Sequence, residues 1–190
     1  SGFTNKVTDS FSKSLKIIYA PSALLDQTKF AALPEGLEQL WLGSAGLQTA
    51  PSPLQLVLPP GLTALSIGDL DVVQIAALLP DTLKTLHAGS VAWKSQKSSN
   101  SGMTRVCDVR KWPSSLTLLS LPELSKITRE SLHALPVCME MLMLPGIDTN
   151  TGLDLVKLPL PQLKLLDISH LPGLSSAEIA SIPKTLTSLD

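Results

Sequence analysis

The chain has 190 residues, a formal net charge of −1 at pH 7 and a hydrophobic fraction of 44%. This length allows one sizeable hydrophobic core, and the balanced charge gives no general attraction to nucleic acid or anionic lipid. No apolar run approaches the length that a helix needs to cross a bilayer, so neither nucleic-acid binding nor membrane insertion is expected.

A short skeleton of leucine and proline recurs along the chain. Its clearest copy, Leu33 to Leu42, has the sequence LPEGLEQLWL and reads Leu-Pro-x-x-Leu-x-x-Leu-x-Leu. A weaker copy without the proline precedes it at residues 12–20. Later copies occupy residues 58–67, 79–88, 112–121 and 135–144, followed by a shortened copy at 161–168 and a partial one at 182–190.

The spacing of these copies predicts a solenoid. We take the first internal apolar residue of each copy as its anchor, and successive anchors lie 22, 25, 21, 33, 23, 24 and 23 residues apart. A sustained period of roughly 20 to 29 residues is typical of solenoids. We therefore expect a single domain over residues 1–190, with seven to eight repeats between residues 12 and 190. The anchors are Leu15, Leu37, Leu62, Leu83, Leu116, Met139, Leu163 and Leu186.

Each copy ends in an alternating x-Leu-x-Leu-x pattern, which predicts a short strand with its leucines inward and its x residues outward. One such strand cannot bury its apolar face alone, so the copies are expected to stack into a parallel sheet over one continuous core. The proline fixes φ and lacks an N–H, so it is expected to end the preceding segment and lead the chain into the strand.

The segments between the predicted strands differ in character. Apolar spacing predicts short helices at residues 22–33, 72–79, 128–135 and 175–182. Residues 48–56, with two prolines, and residues 150–160 carry no helical pattern and are predicted to be extended or irregular.

The 33-residue step indicates an insertion at residues 92–111, which is rich in Ser, Asn and Lys. Its basic residues outnumber its single acidic one, Asp108. One interpretation is a solvated loop between repeats, and the other is a contact loop for an acidic partner.

The repeated skeleton resembles the leucine-rich repeat family over nearly the whole chain. The resemblance implies an α/β solenoid with a horseshoe shape, a parallel sheet on its concave face, and short helices and extended segments on its convex face. The chain departs from the commonest family pattern, which places Asn or Cys three residues after the last strand leucine. The equivalent positions here are Ala45, Leu70, Val91, Leu124, Ile147 and Leu171.

The outward strand positions would line the concave face in this geometry, and few of them are charged. One end of this surface is aromatic and the other is apolar, which favours a contact with another protein. The resemblance also implies binding as a class of function. The residues predicted to bind a partner are Tyr19, Trp41, His87, Leu118, Met141, Met143, Leu165 and Asp167.

Catalytic chemistry finds little support in the sequence. The three histidines fall in three different repeats and show no metal-ligand spacing with either cysteine. The sequence contains no phosphate-binding glycine loop and no Gly-x-Ser-x-Gly elbow. We therefore expect no enzymatic activity, no cofactor and no metal. For Cys107 and Cys138 both free thiols and a disulfide stay open, since sequence alone cannot show the geometry.

The sequence thus predicts a protein–protein interaction module that acts as a rigid curved platform. Two alternatives are the substrate-recruiting or regulatory repeat region of a larger enzyme, and a structural subunit of a stable assembly. The start at Ser1-Gly2 and the end inside a repeat suggest part of a larger protein, whose other domains are expected partners. The absence of Asn-x-Ser/Thr sequons favours an intracellular location.

Overall fold

The recurring skeleton forms one strand per copy. The computed structural model describes residues 11–21, 32–44, 57–68, 76–88, 111–121, 129–145, 158–169 and 182–190, and we number these stretches coils 1 to 8 in chain order. The strands are β1 Ile17–Ala20, β2 Gln39–Ser44, β3 Ala64–Gly68, β4 Thr85–Ala88, β5 Leu118–Ser120, β6 Met141–Met143, β7 Leu165–Asp167 and β8 Ser188–Leu189.

The eight strands form a single sheet in the order β1 to β8, and every neighbouring pair is parallel. The predicted parallel sheet is therefore confirmed, and the chain is a parallel-strand solenoid of stacked coils. The register preserves the alignment of the skeleton, because equivalent residues of successive copies lie opposite each other. For example, Leu40 of β2 pairs with Ile18 of β1 and with Leu65 of β3.

The inward leucines form one continuous core between the coils. All six anchors from Leu37 to Leu163 are fully buried, and the inward leucines of the strands that follow them, such as Leu40 and Leu65, are buried with them. Leu15 and Leu186, the anchors of coils 1 and 8, are only partly buried because each packs against a neighbouring coil on one side. Burial of the leucines therefore depends on the stacking of the coils.

A hydrogen-bonded turn precedes each strand. In coil 2 the carbonyl of Pro34 accepts the N–H of the anchor Leu37 at 3.0 Å. The same bond recurs from the anchor to the proline in coils 3 to 6 and in coil 8, whereas the acceptors in coils 1 and 7 are Ser12 and Leu160. In coil 7 the proline, Pro161, follows the acceptor, at a turn position where its fixed φ is favoured. This shift explains the shortened skeleton of that copy.

The residue after each anchor ties neighbouring coils together through its backbone. The carbonyl of Lys16 accepts the N–H groups of both Glu38 and Gln39, at 2.8 and 3.0 Å. The same sharing of one carbonyl by two N–H groups recurs at all seven junctions between neighbouring coils. The remaining acceptors are Glu38, Thr63, Lys84, Thr117, Glu140 and Lys164.

Two short helices fall within predicted helical segments. Helix α1, Arg129–His133, lies inside the predicted segment 128–135, and a 3₁₀ helix, Ala76–Leu78, lies inside 72–79. The 3₁₀ helix ends at Leu78, one residue before the end of the predicted segment, because Pro80 disfavours helical backbone at the residue before it. The other two predicted helices and the predicted irregular segments lie largely or wholly outside the described residues.

Trp112 occupies the position before the proline that Leu or Ile fills in other copies. It is buried, and its Nε1–H donates to the carbonyl of Ser131 in α1 at 3.1 Å. Its indole thus joins coil 5 to the helix of coil 6. The buried polar edge of the ring is satisfied by this bond, which removes the cost of burying an unpaired N–H.

Gly43 lies where β2 has no room for a side chain. The register between β2 and β3 shifts between Leu42 and Ser44, and a Cβ at Gly43 would overlap the carbonyl oxygen of Pro21 in coil 1. Gly61 contrasts with it, because a Cβ there would make only an ordinary contact with the carbonyl oxygen of Leu37 at 3.9 Å.

We expect Gly43→Ala to lower the free energy of unfolding by about 2 kcal/mol or more, since backbone atoms must move to admit the methyl group. Urea denaturation measures this loss. Gly61→Ala is the matched control and should change the stability by less than about 1 kcal/mol. Equal effects of the two substitutions would contradict the close approach of β2 to Pro21.

Candidate interaction surface

The x residues of the strands form the side of the sheet opposite the leucine core, which we call the outer face. The register aligns them in two rows that cross the strands. The first row contains Ile17, Gln39, Ala64, Thr85, Leu118, Met141, Leu165 and Ser188, and the second contains Tyr19, Trp41, Ser66, His87, Ser120, Met143 and Asp167. All eight residues that the sequence predicts to bind a partner therefore lie on this one face.

The β1–β2 end of the outer face is aromatic and accessible. Tyr19 is 72% exposed and Ile17 is 53% exposed, whereas Trp41 is half-buried. The Trp41 Nε1–H points along its own strand to Gln39 Oε1, at 3.4 Å. Residues two apart on a strand share a face, and this bond fixes the indole on the outer face beside Tyr19.

The β5–β7 end of the outer face is apolar. Leu118, Met141 and Leu165 lie opposite one another on three adjacent strands, and Met143 follows on the central strand. We call these four residues the apolar patch. Each is half-buried, and Ser120, which lies opposite Met143 on β5, is buried. The patch is therefore one continuous surface.

Charge is sparse on the strands of the outer face and lies mainly at one end. Asp167 of β7 is half-buried, and its Oδ1 accepts the N–H of Ser169 at 2.9 Å. Asp190 exchanges backbone bonds with Leu166 and Ile168, which places it opposite Asp167. His87 lies on β4, three strands from Asp167, so the two are about 14 Å apart and cannot form an acid–base pair.

Ion pairs flank the outer face at the residues that follow the anchors. Lys16 Nζ lies 2.9 Å from Glu38 Oε1, and Lys164 Nζ lies 2.9 Å from Glu140 Oε2. All four side chains are roughly half exposed, so each pair contributes only about 0–1 kcal/mol. The sequence interpretation missed these pairs, although the opposite charges at equivalent positions of adjacent copies gave the signal.

The sequence interpretation also missed a ladder of side-chain donors immediately before the anchors. Thr82 Oγ1 donates to the carbonyls of Pro60 and Leu62 of the preceding coil, at 2.7 and 2.9 Å. Ser115 makes the equivalent bonds to Asp81 and Leu83, at 2.5 and 2.8 Å. These hydroxyls supply turn carbonyls of the preceding coil with hydrogen-bond partners.

Cys138 continues this donor ladder. It occupies the position equivalent to Ser115, and its Sγ lies 3.2 Å from the carbonyl oxygen of Ser114 and 3.4 Å from that of Leu116. The Cys138 thiol is free. Cys107 and nearly all of the predicted insertion lie outside the described residues, so both interpretations of that insertion stay predictions.

The described residues offer little that resembles an enclosed reaction site. No group of three or more His, Cys, Asp or Glu side chains among them is placed to hold a metal ion. A shallow pocket between coils 4 and 5 is lined in part by Asp81, Lys111 and Trp112. No helix in the described stretches has the length and apolar character needed to cross a membrane.

Comparisons with known protein families, with curated proteins and with solved structures gave no significant match.

The donor ladder predicts which substitutions the turns tolerate. Ser115→Ala should lower the free energy of unfolding by about 1–2 kcal/mol, because two carbonyls of the preceding coil lose a partner. Ser114→Ala is the matched control in the same turn and should cost less than about 0.5 kcal/mol, since its side chain is exposed.

The same ladder predicts a different outcome for two substitutions of Cys138. Cys138→Ser should be at least as stable as the native chain, since a hydroxyl is the stronger donor, whereas Cys138→Ala should lose up to about 1 kcal/mol. Urea denaturation of each variant measures these differences. The ladder would be refuted if the serine and alanine variants had the same stability.

Proposed function

We propose that the chain is a leucine-rich repeat protein and acts as a protein–protein interaction module. In this proposal the outer face is the concave side of a horseshoe and receives a polypeptide partner. The Leu-Pro-x-x-Leu-x-x-Leu-x-Leu skeleton, its period and the parallel solenoid of stacked coils support this assignment. The free thiol of Cys138 is compatible with the intracellular location expected from the sequence.

The apolar patch is the observation that carries the proposal. Its four side chains lie on three neighbouring strands at positions where the alternation of the skeleton places residues outside the core. Contiguous apolar surface of this kind is uncommon on soluble monomers and usually marks an interaction site. Two of its members are methionines, whose flexible and polarisable side chains adapt to the shape of a partner.

The aromatic end provides a second contact region on the same face. Tyr and Trp are over-represented among the residues that dominate binding energy, and Tyr19 is largely exposed. Few charges on the strands of the outer face need to be stripped of water when a partner docks, which keeps the desolvation cost low. Burial of a few hundred Å² of apolar surface at about 25 cal/mol per Å² contributes several kcal/mol before the costs of association.

An affinity capture from native lysate tests the proposal. The native chain is compared with Trp41→Ala, which alters the aromatic end, and with Met141→Glu/Met143→Glu, which places two charges in the apolar patch. We expect partners retained by the native chain to be lost from one or both variants. Because a buried charge without a partner is costly, the loss from the double variant should exceed ten-fold.

Two controls make this result specific. Val137→Glu introduces one glutamate at a turn residue that is 63% exposed and lies off the outer face, and it should retain the partners. Circular dichroism of every variant checks that the fold is intact. Retention of the same partners by all folded variants would refute binding through the outer face.

The capture is paired with sedimentation analysis of the purified native chain. A transient interaction module should remain monomeric across the concentration range. Self-association that Met141→Glu/Met143→Glu abolishes would instead indicate that the apolar patch is an interface within a stable assembly.

A further inference from the structure

We propose that the partner contributes a short amphipathic α-helix, which lies across β5 to β8 and places a basic residue over Asp167 and Asp190. This inference rests on the proposed interaction function and identifies the chemistry of the partner. It follows from the spacing of the apolar patch and from the position of two carboxylates beside it, for which the described residues provide no cation.

The spacing of the first row matches the repeat of an α-helix. Leu118, Met141, Leu165 and Ser188 lie on four successive strands about 4.8 Å apart, at distances of about 0, 4.8, 9.6 and 14.4 Å from β5. Helix residues i, i+3, i+7 and i+10 lie at about 0, 4.5, 10.5 and 15 Å along the axis. One helix face can therefore present one side chain to each strand.

An extended segment does not match this surface. Alternate residues of a strand lie about 6.6 Å apart, so an extended chain crossing the sheet runs ahead of the strands by about 2 Å at each step. The interior strands β5 to β7 are also paired on both sides, and they offer no free edge to which another strand can add. An apolar helix face packing onto the sheet has neither difficulty.

The charge beside the apolar patch selects a basic residue. Asp167 and Asp190 lie opposite each other on β7 and at the end of β8. The Asp167 Oδ1 atom is held by the N–H of Ser169, while the described residues provide no cation for its carboxylate. The nearby Lys164 is already paired with Glu140 at 2.9 Å.

The resulting recognition pattern is specific. Apolar residues at i, i+3 and i+7 of the helix contact Leu118, Met141 and Leu165, while Met143 fills the space between them and the second row. A Lys or Arg at i+10 or i+11 lies about 15 Å from the first contact, near Asp190 at the end of β8, and its long side chain reaches back to Asp167 on β7. Unlike charges at the end of an apolar contact fix the register of the helix and reject acidic segments.

A peptide selection tests this pattern without knowledge of the natural partner. A phage library of random 16-residue peptides is selected on the native chain, and each enriched peptide is tested against Met141→Glu/Met143→Glu. We expect peptides that depend on the patch to carry apolar residues at i, i+3 or i+4 and i+7, followed by a Lys or Arg. Asp167→Arg, which leaves the patch residues in place, is a second variant and should also abolish their binding.

The leading peptide is then synthesised and its affinity is measured by fluorescence anisotropy. Proline in the middle of the peptide should weaken binding at least ten-fold, because it disrupts the helix. Asp167→Asn should weaken it roughly two- to five-fold and reduce its salt dependence. The control Asp81→Asn removes an exposed turn carboxylate from another part of the surface and should leave the affinity unchanged.

The outcomes separate this inference from the proposed function. Patch-dependent peptides with apolar residues at every second position, with acidic residues, or with tolerance of the central proline would overturn the helix proposal and leave the interaction function standing. Enrichment of peptides that bind both outer-face variants as well as the native chain, or no enrichment at all, would overturn both.

Discussion

The structure depends on the burial of leucine between coils that cannot bury it alone. A strand of two to six residues has too little apolar surface to form a core, but each coil covers the inner face of the next. The anchors from Leu37 to Leu163 are fully buried because they have neighbours on both sides, whereas Leu15 and Leu186 have a neighbour on one side. Register follows from this constraint, since a shift by one residue would turn every leucine outward.

When the coils stack, the backbone N–H and C=O groups of the turns before the strands are packed against neighbouring coils. These groups then need hydrogen-bond partners within the protein. One carbonyl at each junction accepts two N–H groups of the next coil. The hydroxyls of Thr82 and Ser115 and the thiol of Cys138 then bridge pairs of turn carbonyls. At Gly43 the coils approach each other more closely, because the missing side chain lets its backbone lie against the backbone of Pro21.

The leucine core covers one side of the sheet, and the x residues lie on the other side, the outer face. The core residues set the position of each strand, and the x residues between them are free to vary in chemistry. The outer face therefore has an aromatic end, a middle of mostly small residues that also holds His87, and an apolar end beside two carboxylates.

The sequence by itself determined the number and spacing of the strands, their parallel order and the inward or outward side of each strand residue. It could do so because an alternation of period two, repeated at a solenoid period, leaves only one way to bury the leucines together. The alignment of Leu118, Met141 and Leu165 was predictable for the same reason. Only the tertiary structure decided which polar groups meet across the coils. The bonds of Ser115 and Cys138 to turn carbonyls, the bond of Trp112 to α1 and the lack of room for a Cβ at Gly43 depend on how closely neighbouring coils approach, which no single repeat encodes.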